Sequence, residues 1–176
     1  MRKTYVVVVC GMLAAIGALL AGPLGIKGFT LGAYSLNVSF GLVPGMLAGI
    51  MFGPMFGFLT GAVTDLAKYL ITTSALGSYD PVFTLSFGIM CMLPAFFLHK
   101  SKKISYPKIL LSVLLAQFVG SVVINNLWMI FALGIAPAAL VGRLVAQAIL
   151  IPCNAFLLYT LLKSKAFILS RKQATK

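Results

Sequence analysis

A single arginine, Arg143, stands in an otherwise uncharged stretch that begins after Lys108 and ends before Lys163. A guanidinium keeps its proton, and placing it in hydrocarbon costs roughly 3 kcal/mol on translocon-derived scales. Its planar fork of N–H donors is suited to bidentate binding of a carboxylate or phosphate. The sequence therefore predicts an anion opposite Arg143, either the protein's own Asp65 or a group on a bound ligand.

Other polar and aromatic residues are predicted to gather with this arginine on one side of a membrane. Gln147 follows it by one helical turn, so the two share a helix face. Three cations are predicted on this side: Lys27, Lys68 and Arg143. They outnumber the carboxylates predicted there, Asp65 and Asp80, and an anionic ligand would balance the excess positive charge. Amides would hydrogen-bond the ligand and aromatic rings would stack on it. The predicted substrate-binding residues are Arg143, Gln147, Asn125, Asn126, Trp128, Lys68, Asp65, Lys27 and Phe83.

A structural explanation stays open for each of these residues. Arg143 would pair with Asp65 inside the protein, and Lys68 would extend its ammonium group toward the membrane surface. The asparagines would hydrogen-bond between helices, which is worth about 0.6 kcal/mol on average. The aromatic residues would belong to the belt at the membrane interface. The convergence of all of them on one side favours a ligand.

The composition is that of an integral membrane protein. The chain has 176 residues, of which 61% are hydrophobic and 9% charged, and its mean hydropathy is +1.07. Soluble domains are about 45–50% apolar and about 25% charged. Most basic residues lie at the N-terminus, in the loop 99–108 and at the C-terminus, which the positive-inside rule assigns to the cytoplasm. Topology thus explains the net charge of +12 without nucleic acid as a partner.

Apolar runs and turn signals predict a single all-α domain of six transmembrane helices, with both termini cytoplasmic and a ligand pocket on the extracellular side. Gly53-Pro54 divides the longest apolar run, because proline begins helices more readily than it continues them. The predicted helices cover about 4–22, 36–52, 54–73, 82–98, 109–130 and 138–163.

The first helix carries small residues at the spacing of a helix-packing motif, in the pairs Gly11/Ala15 and Ala14/Ala18. Small side chains at this spacing let another helix backbone approach closely. That helix belongs either to this chain or to a second membrane protein.

Catalytic and metal-binding patterns are absent from the sequence. There is no G-x-x-x-x-G-K-[ST] nucleotide-binding loop, and the one histidine, His99, lies in the basic loop. No Ser/His/Asp or paired-carboxylate arrangement fits at one membrane depth. We therefore expect a protein that is not an enzyme and that holds no metal or cofactor.

Three segments resemble the substrate-binding S components of energy-coupling factor (ECF) transporters, of the folate-family type: LNVSFGLVPGMLAGIMFGPMFGFLTGAVTDLAKYL (36–70), NNLWM (125–129) and RLVAQAILIP (143–152). The first is the most specific, with LAG-x-x-FGP-x-x-G leading to a helix with an aspartate. Two positions depart from the family's usual pattern, Asn37 for an arginine and Val82 for a glycine. The vitamin therefore stays open among folate, pantothenate and a pyridoxine or hydroxymethylpyrimidine type.

The resemblance implies a high-affinity vitamin-binding subunit, most simply for folate, in a prokaryotic cell membrane. A membrane-embedded coupling subunit and two cytoplasmic ATPase subunits would be its partners in the lipid bilayer, and the coupling subunit would dock on Gly11, Ala14, Ala15 and Ala18. An autonomous small secondary transporter is the alternative from another class. It would need a polar path, yet the inner halves carry few polar groups besides Gln117 and Asn154.

Overall fold

A computed structural model describes residues 3–31, 34–72, 79–99, 101, 105–132, 134 and 141–164. The sequence's apolar runs form helices, and the segment between the first two helices forms a short β-hairpin. In chain order the elements are α1 (Lys3–Ala21), β1 (Ile26–Leu31), β2 (Tyr34–Val38), α2 (Leu42–Phe52), α3 (Pro54–Thr72), α4 (Pro81–Leu98), α5 (Tyr106–Gln117), a π-helical segment (Phe118–Asn125), α6 (Asn126–Phe131) and α7 (Val141–Lys163).

Four stretches of helix within the described residues are long and apolar enough to cross a membrane. One of them is the continuous run of α5, the π-helical segment and α6, and the others lie in α1, α4 and α7. The helix α2 is apolar but shorter, and α3 carries Asp65 and Lys68 in its second half. The long apolar helices expected from the composition are therefore present among the described residues.

Contacts between helices define two ends of the bundle. At the basic end, next to the loop 99–108, the rings of Tyr106 and Tyr159 lie 5.7 Å apart at the start of α5 and near the end of α7. At the other end, the start of α4 contacts α6 through Asp80 and Trp128. The β-hairpin lies between α1 and α2 at this second end, which we call the hairpin end.

The β-hairpin corrects the predicted start of the second helix. Strands β1 and β2 pair antiparallel, with Phe29 opposite Leu36 and Leu31 opposite Tyr34. The helix expected from residue 36 begins at Leu42 instead. An apolar run alone does not separate strand from helix, and serine, asparagine and valine have low helix propensity. Because β2 packs against α7, the hairpin also covers that end of the bundle.

The break between α2 and α3 lies at Gly53, where the sequence places it. Gly53 adopts φ +118°, a conformation that side-chain-bearing residues rarely adopt, and its N–H donates to Gly49 O at 2.8 Å. A Cβ on Gly57 would lie 2.8 Å from both Gly49 Cα and Cys91 O. Glycines thus let α2, α3 and α4 approach closely, and this contact positions the polar residues farther along α3 and α4.

Gly57→Ala is expected to lower the thermal stability of the detergent-solubilised protein, because overpacking a tight contact costs about 1–3 kcal/mol. Gly11→Ala on α1 is the matched control, since no neighbouring atom lies within 4 Å of the position that its added methyl group would occupy. Its midpoint of unfolding should stay or rise, because alanine favours helix over glycine by about 1 kcal/mol. Equal midpoints for Gly57→Ala and the wild type would contradict the close helix contact.

Candidate ligand-binding site

Asp65 on α3 is hydrogen-bonded within the protein through both carboxylate oxygens. Its Oδ1 accepts from Lys68 Nζ at 2.7 Å, and its Oδ2 accepts from Thr84 Oγ1 on α4 at 2.8 Å. The Lys68 ammonium also lies 5.7 Å from the centre of the Phe87 ring. Asp65 is buried and Lys68 half-buried, so their charges offset each other in a partly desolvated contact. This pair links α3 to α4, and Lys68 is the cation seen beside Asp65.

Tyr79 extends this network to the segment before α4. Its hydroxyl lies 2.9 Å from Thr84 Oγ1, and because that threonine gives its own proton to Asp65, the tyrosine is the donor. The ring of Tyr79 also packs on Tyr69 of α3, with centroids 5.1 Å apart. The start of α4 is therefore held against the end of α3 by both polar and aromatic contacts.

Asp80 orders the start of α4 and holds Trp128. One carboxylate oxygen accepts the N–H of Val82 at 3.0 Å and caps the helix, and the other accepts Trp128 Nε1–H at 2.5 Å. The indole is thereby fixed by its edge, while 37% of the residue stays exposed. Phe83 lies in the first turn of α4 and is half-buried. Both predicted aromatic residues thus lie at the hairpin end.

Amide side chains with buried polar atoms lie on the π-helical segment, on α6 and on α7. Gln147 Nε2 donates to Ser121 Oγ at 2.8 Å. The buried oxygens Asn125 Oδ1, Asn126 Oδ1 and Gln147 Oε1 have no hydrogen-bond partner in the part of the chain that the structure describes. Leaving such an acceptor unsatisfied costs about 1–3 kcal/mol. These three oxygens are therefore acceptors that the described part of the protein leaves unused, and their role toward a ligand stays a prediction.

Packing against α4 shapes the π-helical segment. A Cβ on Gly120 would collide with the side chain of Met90, so a larger residue there would force Met90 to move. Ser86 Oγ donates to the Gly120 carbonyl at 2.9 Å, which provides this carbonyl with a partner across the helix contact. The wider turn changes which residues face α7, and π-helical turns occur frequently at functional sites.

Lys27 lies on the β-hairpin and Arg143 at the start of the helix against which the hairpin packs. Lys27 is in β1, Arg143 is in the first turn of α7, and β2 packs against α7. Their side chains lie outside the described part of the structure, so their contacts with a ligand stay predictions.

The docking face predicted on α1 needs a correction. Ala14 and Ala18 are only 3% and 1% exposed, because that side of α1 packs on α3, where Thr64 Oγ1 donates to Ala14 O at 3.4 Å. The prediction that this pair faces a second protein is therefore wrong. Gly11 and Ala15 lie on the exposed side of α1.

Sequence reasoning missed Ser121 and Thr84, the partners of Gln147 and Asp65. Ser121 was detectable, because Gln117, Ser121 and Asn125 recur every four residues and form a polar row on one helix side. Thr84 had no such signal, since its partner is on another helix.

Asp65→Ala is expected to destabilise the protein, because it strands the half-buried Lys68 ammonium and removes the acceptor of Thr84. Hydrogen bonds to charged groups are worth about 1.5–3 kcal/mol each, so the unfolding midpoint in detergent should fall clearly. The control Asp65→Ala/Lys68→Met removes the stranded charge and should recover part of the loss. A single variant as stable as the wild type would contradict the structural role of the pair.

Comparison with known proteins identifies the family of the chain. The family model for the substrate-specific component of ECF transporters matches residues 6–162. Eight chains of solved structures match. The crystal structure of FolT bound with folic acid is 24% identical, with a TM-score of 0.74 and coverage of 92% of this chain and 93% of that one. The S component of a bacterial ECF transporter is 21% identical, with a TM-score of 0.69 and coverage of 96% and 99%.

At these identities the two structures establish a shared fold, and no curated protein matches the chain. The family model, however, extends from α1 to the end of α7. The chain therefore belongs to the family of substrate-specific components of ECF transporters.

Proposed function

We propose that this S component binds folate at the hairpin end and is the folate-specific subunit of an ECF importer. The observation that carries the proposal is that three buried amide oxygens, those of Asn125, Asn126 and Gln147, have no hydrogen-bond partner among the described residues. They would accept hydrogen bonds from the N–H donors of the folate ring. The likeness of the fold to FolT bound with folic acid supports the same assignment.

The charges at the hairpin end suit an anionic ligand. Lys68 is offset by Asp65, and Asp80 is hydrogen-bonded to the start of α4 and to Trp128. In this proposal Arg143 and Lys27 are the cations that bind the glutamate carboxylates of folate. Arginine is suited to this role because its guanidinium binds a carboxylate through two parallel hydrogen bonds.

Aromatic side chains would hold the ring of the ligand. Trp128 has its indole edge fixed by Asp80, which leaves the ring face for stacking. Phe83 lies close in sequence to Asp80, within the first turn of α4. Offset stacking of aromatic rings is worth about 0.5–1.5 kcal/mol beyond the area that it buries.

In this proposal a coupling subunit in the membrane and two cytoplasmic ATPase subunits complete the importer, in a prokaryotic cell membrane with the hairpin end outside. The coupling subunit contacts the exposed side of α1 that carries Gly11 and Ala15. A coupled importer accumulates vitamin only with its ATPases, whereas an autonomous secondary transporter would take up vitamin alone. Uptake of radiolabelled folic acid into proteoliposomes with and without the ATPases distinguishes the two.

Arg143→Ala is expected to weaken folic acid binding by about 2–5 kcal/mol, the range for removing one partner of a buried charged pair. Arg143→Lys should recover only part, because lysine lacks the planar fork. Isothermal titration of the purified subunit measures both, and Lys108→Ala at the basic end is the control that should bind like the wild type. Thermal unfolding of each variant separates loss of binding from loss of folding.

Two results would contradict this assignment. Normal folic acid binding by Arg143→Ala would show that the arginine does not bind the ligand. Tighter binding of pantothenate or pyridoxine than of folic acid by the wild type would exclude folate as the vitamin, while leaving the family unchanged.

Gly11→Trp/Ala15→Trp is expected to abolish ATP-dependent uptake, because two bulky side chains would hold the α1 backbone away from the coupling subunit. Folic acid binding by the isolated subunit should stay unchanged, since both positions are exposed. Leu111→Trp on α5, which is 59% exposed at the wild-type leucine, is the matched control and should retain uptake. Full uptake by the double variant would exclude this docking face.

A further inference from the structure

Two carboxamides lie deeper in the bundle than the proposed folate site. Gln117 on α5 and Asn154 on α7 are each only 1% exposed. All four of their side-chain polar atoms have no hydrogen-bond partner in the described part of the chain. The same two helices also contribute apolar residues to the core, among them Val113, Ala155 and Leu158.

Two contacts locate these carboxamides along the antiparallel pair of α5 and α7. The Tyr106–Tyr159 ring contact fixes the alignment at the basic end, and the Ser121–Gln147 hydrogen bond fixes it toward the hairpin end. Interpolation between these contacts puts the carboxamides about one helical turn apart along the helix axis, roughly 5 Å. The Ser121–Gln147 bond crosses the same helix contact nearer the hairpin end, and Asn125 and Asn126 follow Ser121 along the chain.

Burying two carboxamides without hydrogen-bond partners destabilises the folded protein. Each unsatisfied donor or acceptor costs about 1–3 kcal/mol, and the hydrocarbon around a membrane helix provides no partner. An apolar residue of similar size at either position would avoid this cost. A polar molecule that enters the helix contact would offset it.

The chemistry of the two side chains restricts what that molecule is. Each carboxamide has an oxygen that accepts and a nitrogen that donates. A cation would satisfy the oxygens only, and an anion would satisfy the nitrogens only. A small molecule that both donates and accepts satisfies all four atoms, and water is that molecule.

We propose that Gln117 and Asn154 form a buried water site between α5 and α7, separate from the folate site. Ordered water there bridges the two carboxamides, and buried waters of this kind make about three hydrogen bonds each. The contact between α5 and α7 is then hydrated inside the membrane. This proposal does not depend on the identity of the vitamin, because the site exists in the protein without ligand.

The test is nuclear magnetic resonance of the ¹⁵N-labelled wild-type protein in detergent, without ligand. We expect the side-chain amide protons of Gln117 and Asn154 to show cross-relaxation with a long-lived water molecule. Gln117→Leu and Asn154→Leu assign the two signals by their loss. The Gln147 amide, whose nitrogen already donates to Ser121, is the internal comparison.

Two results would overturn the water site. One is cross-relaxation between the two carboxamides themselves with no water signal, which would show a direct hydrogen bond. The other is loss of the water signals when folic acid is added, which would show that the amides belong to the substrate site. A protein that fails to bind folic acid but shows the water signals would refute only the folate assignment.

Discussion

The need to satisfy every polar group inside a membrane governs how this bundle is built. Hydrocarbon offers no hydrogen bonds, so a buried polar atom must find a partner within the protein or in a bound molecule. Asp65 meets this demand through Lys68 and Thr84, and Asp80 does so through the start of α4 and Trp128. These bonds join α3 to α4 and α4 to α6. The carboxylates of the described helices therefore serve first to hold the hairpin end together.

The same demand divides the bundle into two kinds of helix contact. Between α2, α3 and α4 the helices meet through glycines such as Gly49 and Gly57, and the backbones come close enough to exclude any other molecule. Between α7 and the row formed by α5 and the π-helical segment, the contact carries amides instead. Several of their atoms lack a protein partner among the described residues. The first contact leaves no space for another molecule, and the second holds polar atoms that the described residues leave without partners.

The sequence predicts the features that depend on a residue's own backbone, and it does not predict those that depend on which helices pack together. The helix break at Gly53-Pro54 is readable because both residues act on their own backbone. The partner of Asp65 was not readable, since the choice between Lys68 and Arg143 depends on how the helices pack. Ala14 and Ala18 show the same limit, because their spacing indicates a close helix contact but does not say which helix makes it. The structure identifies that helix as α3.

The π-helical segment shows why the amides of the site had to be seen in three dimensions. A regular helix from residue 109 to 130 places side chains at intervals of 3.6 residues, whereas a π-helical turn is wider and changes which of them face α7. Two residues of α4 contact this segment at Gly120: Met90 packs against it, and Ser86 donates to its carbonyl. The helix α4 therefore packs both against α2 and α3 and against the segment that carries Ser121 and Asn125. A change of packing at Gly120 would alter the positions of Ser121 and Asn125 without touching either residue.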